Sequence, residues 1–252
     1  MTNAQGRRAR LNGIGSMATC QFLTQMTQQY RNESGRHVDA TSTGGVEAAR
    51  RVQAGEPFDF AILASGAIDR LIGAGHLVGR RVDVVRSRAA VAVRQGASRP
   101  DIGSSSALRQ TVLHAGRIGY STGPSGDHLL ALFARWGVSD ELAPRLVQAP
   151  PGMPVGRLIA EGKVELGFQQ QSELMTVDGV EVLGPLPDDV QLMTVFSAGV
   201  CAVSGRIDAA RHFLSFLTSA SADAAKRLSG MEPVRGADID VDCDSCYRAR
   251  DK

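Results

Sequence analysis

Four turns in this chain share one chemistry. Ser16 follows the apolar segment ARLNGIG. Thr41–Ser42–Thr43 ends HVDATST and leads into Gly44–Gly45, and Ser65–Gly66 follows FDFAILA. Later, Ser121 ends RIGYS and leads into Thr122–Gly123–Pro124–Ser125–Gly126. Each turn stands between a strand-like and a helix-like segment, so each offers a hydroxyl and main-chain N–H groups at a helix start. Free N–H groups and the helix dipole favour anions there. One such turn is ordinary N-capping, which a single Ser or Thr accomplishes alone. Four of them converging from two sides form a cage for a small oxyanion or carboxylate. Ser16, Met17, Thr43, Gly44, Ser65, Ser121, Ser125 and Gly126 are therefore the expected ligand-binding residues.

Two neighbours add acid–base chemistry. Asp127 and His128 fall in the first turn after Ser125–Gly126, where they could exchange a proton with a ligand near pH 7. The competing reading is that Asp127 only favours the helix start and His128 is solvated. Arg86 lies where the chain would cross between lobes and could hold a carboxylate in a bidentate contact. Arg88 is read on the other face of that strand, so that only one of the two enters a given cleft. Gln169, Gln170 and Gln171 end a strand, and Gln170 is the expected amide contact to the ligand.

Other chemistries lack their motifs. There is no G-x-x-x-x-G-K-[ST], no strand-bounded G-x-G-x-x-G, and no HExxH. GSMAT lacks the G-x-S-x-G spacing of a nucleophile elbow. The remaining histidines, His37, His76, His114 and His212, are scattered and read as surface or helix-end residues. No metal and no cofactor is expected. Cys20 and Cys201 read as packed thiols. Cys243 and Cys246 form a lone CxxC, two ligands where a structural zinc needs four.

The elements that must position these residues alternate. Strand, polar turn and helix recur three times in the first 75 residues, which predicts a parallel sheet flanked by helices. VDVVRSRAAVAVRQG reads as two strands or one long bent strand, after which the alternation resumes. Helices near 207–218 and 220–229 close the pattern. The fold class expected is α/β with two lobes, each built on its own sheet, and a ligand cleft between them at the carboxyl ends of the strands. The expected boundaries are 1–84 with 193–235 for the first lobe, 85–192 for the second, and 236–252 for a tail.

Composition agrees with a globular chain. Of 252 residues 43% are hydrophobic and 21% charged, enough for a sizeable core. The 28 basic and 26 acidic residues nearly balance, and aromatics reach only 5%. Neither the charge field nor the stacking platforms of a nucleic-acid binder are present. No apolar run is long enough to span a membrane. The start MTNAQGRRAR is basic but lacks the apolar stretch of a secretory signal, which leads to the expectation of a cytoplasmic protein, or a periplasmic one if a leader was removed.

Together, GSMAT, STGGV, LASGAIDRLIGAG, YSTGPSGDHLLALFARWGV, PVGRLIAEGKVELGFQQQSEL, GPLPDDVQLMTVFSAGV and FLTSASADAAKRLSGM resemble the type 2 periplasmic-binding-protein superfamily, nearest its molybdate-binding-protein-like branch. The resemblance covers about residues 9–231. Molybdate binders typically carry a string like PADVFASAD after the third strand. Here the segment is PFDFAILASGA, which argues against molybdate. An enzyme of similar sequence type is aconitate isomerase. The resemblance thus implies either cofactor-free isomerisation of a small unsaturated carboxylate by proton transfer, or passive binding of an oxyanion or carboxylate. The second role would bring in an ABC transporter permease as partner.

Overall fold

The computed structural model describes residues 10–234. The first stretch runs β1 (Arg10–Ser16), α1 (Cys20–Ser34), β2 (His37–Thr43), α2 (Gly45–Gln53), β3 (Phe60–Ala64) and α3 (Ser65–Gly73). One long strand, β4 (Leu77–Arg94), then leads to α4 (Ser105–His114), β5 (Ile118–Tyr120), α5 (Pro124–Arg135) and α6 (Ser139–Leu142). Next come β6 (Leu146–Gln148), α7 (Val155–Ala160), β7 (Leu166–Gln170), α8 (Gln171–Leu174) and β8 (Val180–Pro185). The chain returns along β9 (Met193–Cys201) and ends in α9 (Ile207–Thr218), α10 (Asp223–Leu228) and β10 (Glu232–Pro233).

In the first half β1 pairs in parallel with β2 and β3, while β9 runs antiparallel between β3 and β4. In the second half β5 lies parallel between β6 and β7, and β4 runs antiparallel to β7 and β8. Separate sheets were the expectation, and here the structure differs. The ten described strands are joined in one hydrogen-bonded sheet, eight of them along one path with β8 and β10 branching from β4, because both halves share β4. Residues 77–88 of β4 pair with β9, and residues 89–94 pair with β7 and β8. At 18 residues β4 is long enough to serve both, and its register shifts take up the bend. The lobes are still distinct, since each half of the path buries both of its faces under its own helices.

Those faces follow from alternation along the strands. In the first half Phe60 and Ile62 meet Phe22, Met26 and Phe213 from α1 and α9. Ala61 and Leu63 turn the other way, onto Val52, Ile68 and Leu71 of α2 and α3. In the second half Val91 and Phe168 pack on Leu108, Leu129 and Phe133, while Ala90 and Ala92 pack on Val155, Leu158 and Ile159. Fully burying one such large apolar side chain contributes about 1.5–3 kcal/mol.

Two readings of single residues change. Cys201 is buried, and burial pushes its thiol up to about 12, but Cys20 is exposed rather than packed. It opens α1 on the solvent side while Phe22 and Leu23 take the core face. Arg86 and Arg88 share one face of β4, as a spacing of two requires. Both reach Glu232, at 3.2 Å and 2.9 Å. The Cys243–Cys246 pair lies outside the described residues.

Candidate functional site

Every parallel strand of the first half ends at one edge. Ser16 is level with Thr43 in the β1–β2 register, and Gly15 is level with Ile62 of β3. In the second half Tyr120 is level with Gln148 and Phe168, two residues before Gln170. The carboxyl ends of both sets therefore lie at one edge of their own half.

Two contacts bring these edges together. Gly44, which precedes α2, approaches the loop before α7: a Cβ at Gly44 would lie 3.4 Å from the Gly152 nitrogen. Gly152 has φ +80°, a conformation that favours glycine. Beside this, α8 packs against the turn Met17–Thr19 that leads from β1 into α1.

The hydroxyls at these helix starts behave unequally. Ser16 is a cap, its Oγ accepting from the Ala18 N–H at 3.4 Å. It also faces the start of α2, where a Cβ on Gly45 would lie 3.8 Å from that Oγ. The helices beginning after Thr43, at Ser65 and around Ser125 have no side-chain cap. Capping alone therefore accounts for Ser16 but not for Thr43, Ser65 or Ser125. The Ser125 Oγ instead lies 2.9 Å from the Ser121 Oγ. Gly126 permits this tight turn, since a Cβ there would sit 1.9 Å from the Ser121 carbonyl oxygen. Main-chain N–H groups at the starts of α2, α3 and α5 are thus not consumed by their own side chains. Such groups can bind carboxylate or a tetrahedral oxyanion.

Ser16, Met17, Thr43 and Gly44 gather near the Gly152 and α8 contacts. Ser121, Ser125 and Gly126 form a second cluster at the end of β5. Ser65 opens α3 at the end of β3. Gln170 is buried and donates from Nε2 to Thr194 Oγ1 at 2.8 Å, leaving its own Oε1 without a partner. His128 gives its Nε2–H to the Val190 carbonyl at 2.9 Å, and Asp127 is exposed. The Arg86 guanidinium bonds Glu232 through one Nη, so its charge is already met, while its buried Nε has no partner.

Sequence reasoning missed Ser87, Ser172, Thr194 and Glu173. Ser87 and Ser172 are buried, and their hydroxyls lack partners. Ser87 is level with Thr194 across β4 and β9, which puts both beside the Gln170 amide. Glu173 is only partly exposed, and lost hydration pushes its carboxyl up to about 7 against the pull of a hydrogen bond from Gln169. Nothing in the string QSEL distinguishes that glutamate from a surface one.

Among the described residues no three His, Cys, Asp or Glu side chains gather as a metal site, and no helix is long and apolar enough to cross a membrane. A cavity of about 730 Å³ opens between α4, the end of β4 and the start of β7, at the opposite edge from Gln170.

Similar known proteins include solute binders and an enzyme. The profile described as "Bacterial extracellular solute-binding protein" matches residues 11–232. A Pseudomonas protein named aconitate isomerase is 36% identical over 233 residues, covering 89% of this chain and 87% of its own. The periplasmic molybdate-binding protein of Azotobacter vinelandii is 17% identical with a TM-score of 0.76, over 89% of this chain and 100% of that one. The sulfate-binding protein SubI of Mycobacterium tuberculosis H37Rv is 16% identical with a TM-score of 0.73, over 91% of this chain and 88% of that one. The two structures share the two-lobed periplasmic-binding-protein fold with this chain. A profile match across nearly all the described residues goes further, and the chain belongs to the bacterial extracellular solute-binding protein family.

Proposed function

We propose that this protein isomerises a small unsaturated polycarboxylate of the aconitate type, held in the cleft between lobes formed by residues 1–84 with 193–235 and by residues 85–192. The observation that carries this reading is the 36% identity, along most of both chains, to an enzyme named aconitate isomerase. The helix starts support it. Those of α2, α3 and α5 lack side-chain caps, and the hydroxyls of Ser16, Ser65, Ser121 and Ser125 stand beside them. Gln170 adds an amide from the second half.

The chemistry asked of these groups is modest. A proton leaves a methylene carbon next to the double bond, and the negative charge spreads over the allyl unit into a carboxylate. N–H groups already aimed at that carboxylate stabilise the charge as it develops, an effect worth about 10²–10³ in rate per donor. A proton then joins the far carbon of the unit. One C–H bond breaks, one forms, the double bond moves, and no redox change occurs. Asp127 and His128 are the acid–base residues at the start of α5, where Asp127 is exposed and the His128 Nε2–H is given to Val190.

The second reading is a binder of a small oxyanion or carboxylate that catalyses nothing and serves a transporter. The shared fold with molybdate- and sulfate-binding proteins favours it. Proton NMR of trans-aconitate incubated with the protein separates the two. Appearance of cis-aconitate supports the isomerase. Tight binding of sulfate or molybdate without turnover of any unsaturated acid supports the binder.

A further inference from the structure

Isomerisation needs a group that takes a proton from one carbon and returns it to another. Asp127 is exposed, and His128 is tied to a main-chain carbonyl. Glu173 is differently placed. It lies in α8, three residues past Gln170, and its carboxyl hydrogen-bonds the side chain of Gln169. Gln169 is itself buried and fixed, because its Oε1 accepts from the Val155 N–H at 2.7 Å. With Oε1 used, the amide nitrogen of Gln169 is the donor left for the carboxyl. The end of β7, the start of α7 and Glu173 are therefore one hydrogen-bonded unit.

That unit sits where the two halves meet. On one side of it α8 packs against the Met17–Thr19 turn. On the other, the loop before α7 meets Gly44 through Gly152. The flanking residues Gln170 and Ser172 are buried, and each keeps one polar atom without a partner, Oε1 and Oγ. Buried polar groups are rarely left unmatched. The Ser172 hydroxyl can donate to a carboxylate bound beside Glu173, whereas the Gln170 Oε1 accepts only and calls for a donor such as water.

We infer that Glu173 is the proton-transfer group of the isomerisation, its carboxylate set by Gln169 against the bound unsaturated acid. This rests on the isomerase reading above. A Glu173 oxygen takes the proton from the methylene carbon and becomes the acid. The same carboxyl returns that proton to the far allylic carbon and is a carboxylate again, so the cycle closes with no other reactant. Gln169 acts through Glu173 and is a positioning residue. A carboxyl raised to about 7 is half ionised at neutral pH, which suits a group that must both accept and donate. Lost hydration causes the rise, and no charged side chain takes part in it.

The test measures kcat and KM for trans- to cis-aconitate conversion between pH 5 and 9 with the wild type, Glu173→Gln, Glu173→Asp and Gln169→Leu. Glu173→Gln is expected to lose about 10²–10⁴ in kcat, the range for a general acid–base group, with KM changed less than about threefold. Glu173→Asp should recover part of that loss. Gln169→Leu should move the kinetic pKa near 7 upward, since its hydrogen bond holds the carboxyl down, an effect that a purely structural residue would not produce. Glu173→Gln with kcat within about twofold of the wild type overturns the inference while leaving the isomerase reading intact. A pH profile unchanged in Gln169→Leu and in Glu173→Asp also overturns it. A wild type that turns over no unsaturated acid removes the isomerase reading, and the inference with it.

Discussion

The side chain of Gln170 reaches Thr194 with Nε2 to Oγ1 at 2.8 Å, tying the last residue of β7 to the strand that returns to the first half. The amide is thereby fixed in orientation; its second Nε2–H is the donor that can meet a ligand carboxylate, which the partnerless Oε1, an acceptor, cannot do. A hydrogen bond to a charged group is worth about 1.5–3 kcal/mol, which corresponds to about 10–150-fold in affinity. Gln170→Leu, of similar size, is therefore expected to weaken carboxylate binding by about that factor. Titration calorimetry with trans-aconitate checks it, and an unchanged dissociation constant would take Gln170 out of the site.

Gly126 makes the turn at Ser121–Ser125 possible. A Cβ at Gly126 would stand 1.9 Å from the Ser121 carbonyl oxygen, a clash with main chain that no side-chain rotation relieves. Gly126→Ala is expected to cost about 1–3 kcal/mol or more in stability, as overpacking does. Thermal melting reads the loss, and a melting temperature equal to wild type would mean that this turn is easily remodelled.

Glu173 links stability to pH. Its carboxyl is raised in the folded protein to about 7 from an ordinary 4.5, so between these values the folded state binds more protons than the unfolded chain. Stability from this group is full below about pH 4.5 and is lost as pH rises through 7. Glu173→Gln, which cannot ionise, should lack this loss. Urea melts at pH 5 and pH 8 should show the variant gaining on the wild type at the higher pH. A difference independent of pH would contradict the raised carboxyl.

Arg86 and Arg88 share Glu232, and Arg88 also meets Asp188 at 3.2 Å. These partners are exposed enough that each pair is worth about 0–1 kcal/mol. Arg86→Ala should therefore weaken tricarboxylate binding less than Gln170→Leu does. Calorimetry on the two variants side by side decides this. A larger loss for Arg86→Ala would mean that its guanidinium turns from Glu232 to the ligand.

Much of this arrangement was legible in the residues. HVDATST gives β2 as read, and the segment from Ile207 to Thr218 gives α9, because period two and period 3.6 are plain there. The turns at Ser16, Thr43–Gly44, Ser65 and Ser125 announced helix starts through residue type alone. What remained hidden depends on tertiary packing. No local pattern shows that one strand, β4, changes partners between Arg88 and Ala89. The four residues of α8 are too few for a helical period. The burial of Glu173 comes from elements distant in sequence, so QSEL reads as surface. The shared face of Arg86 and Arg88 was available from their spacing, and only Glu232, far along the chain, shows what they bind.

The isomerase reading stands or falls on one measurement. Proton NMR follows trans-aconitate in deuterated buffer with catalytic amounts of the full chain. The reading predicts cis-aconitate signals that grow to equilibrium from either isomer, with the rate lowered in Glu173→Gln. Spectra that stay unchanged at high protein concentration, in a protein that binds sulfate or molybdate tightly, would contradict it and leave a solute binder.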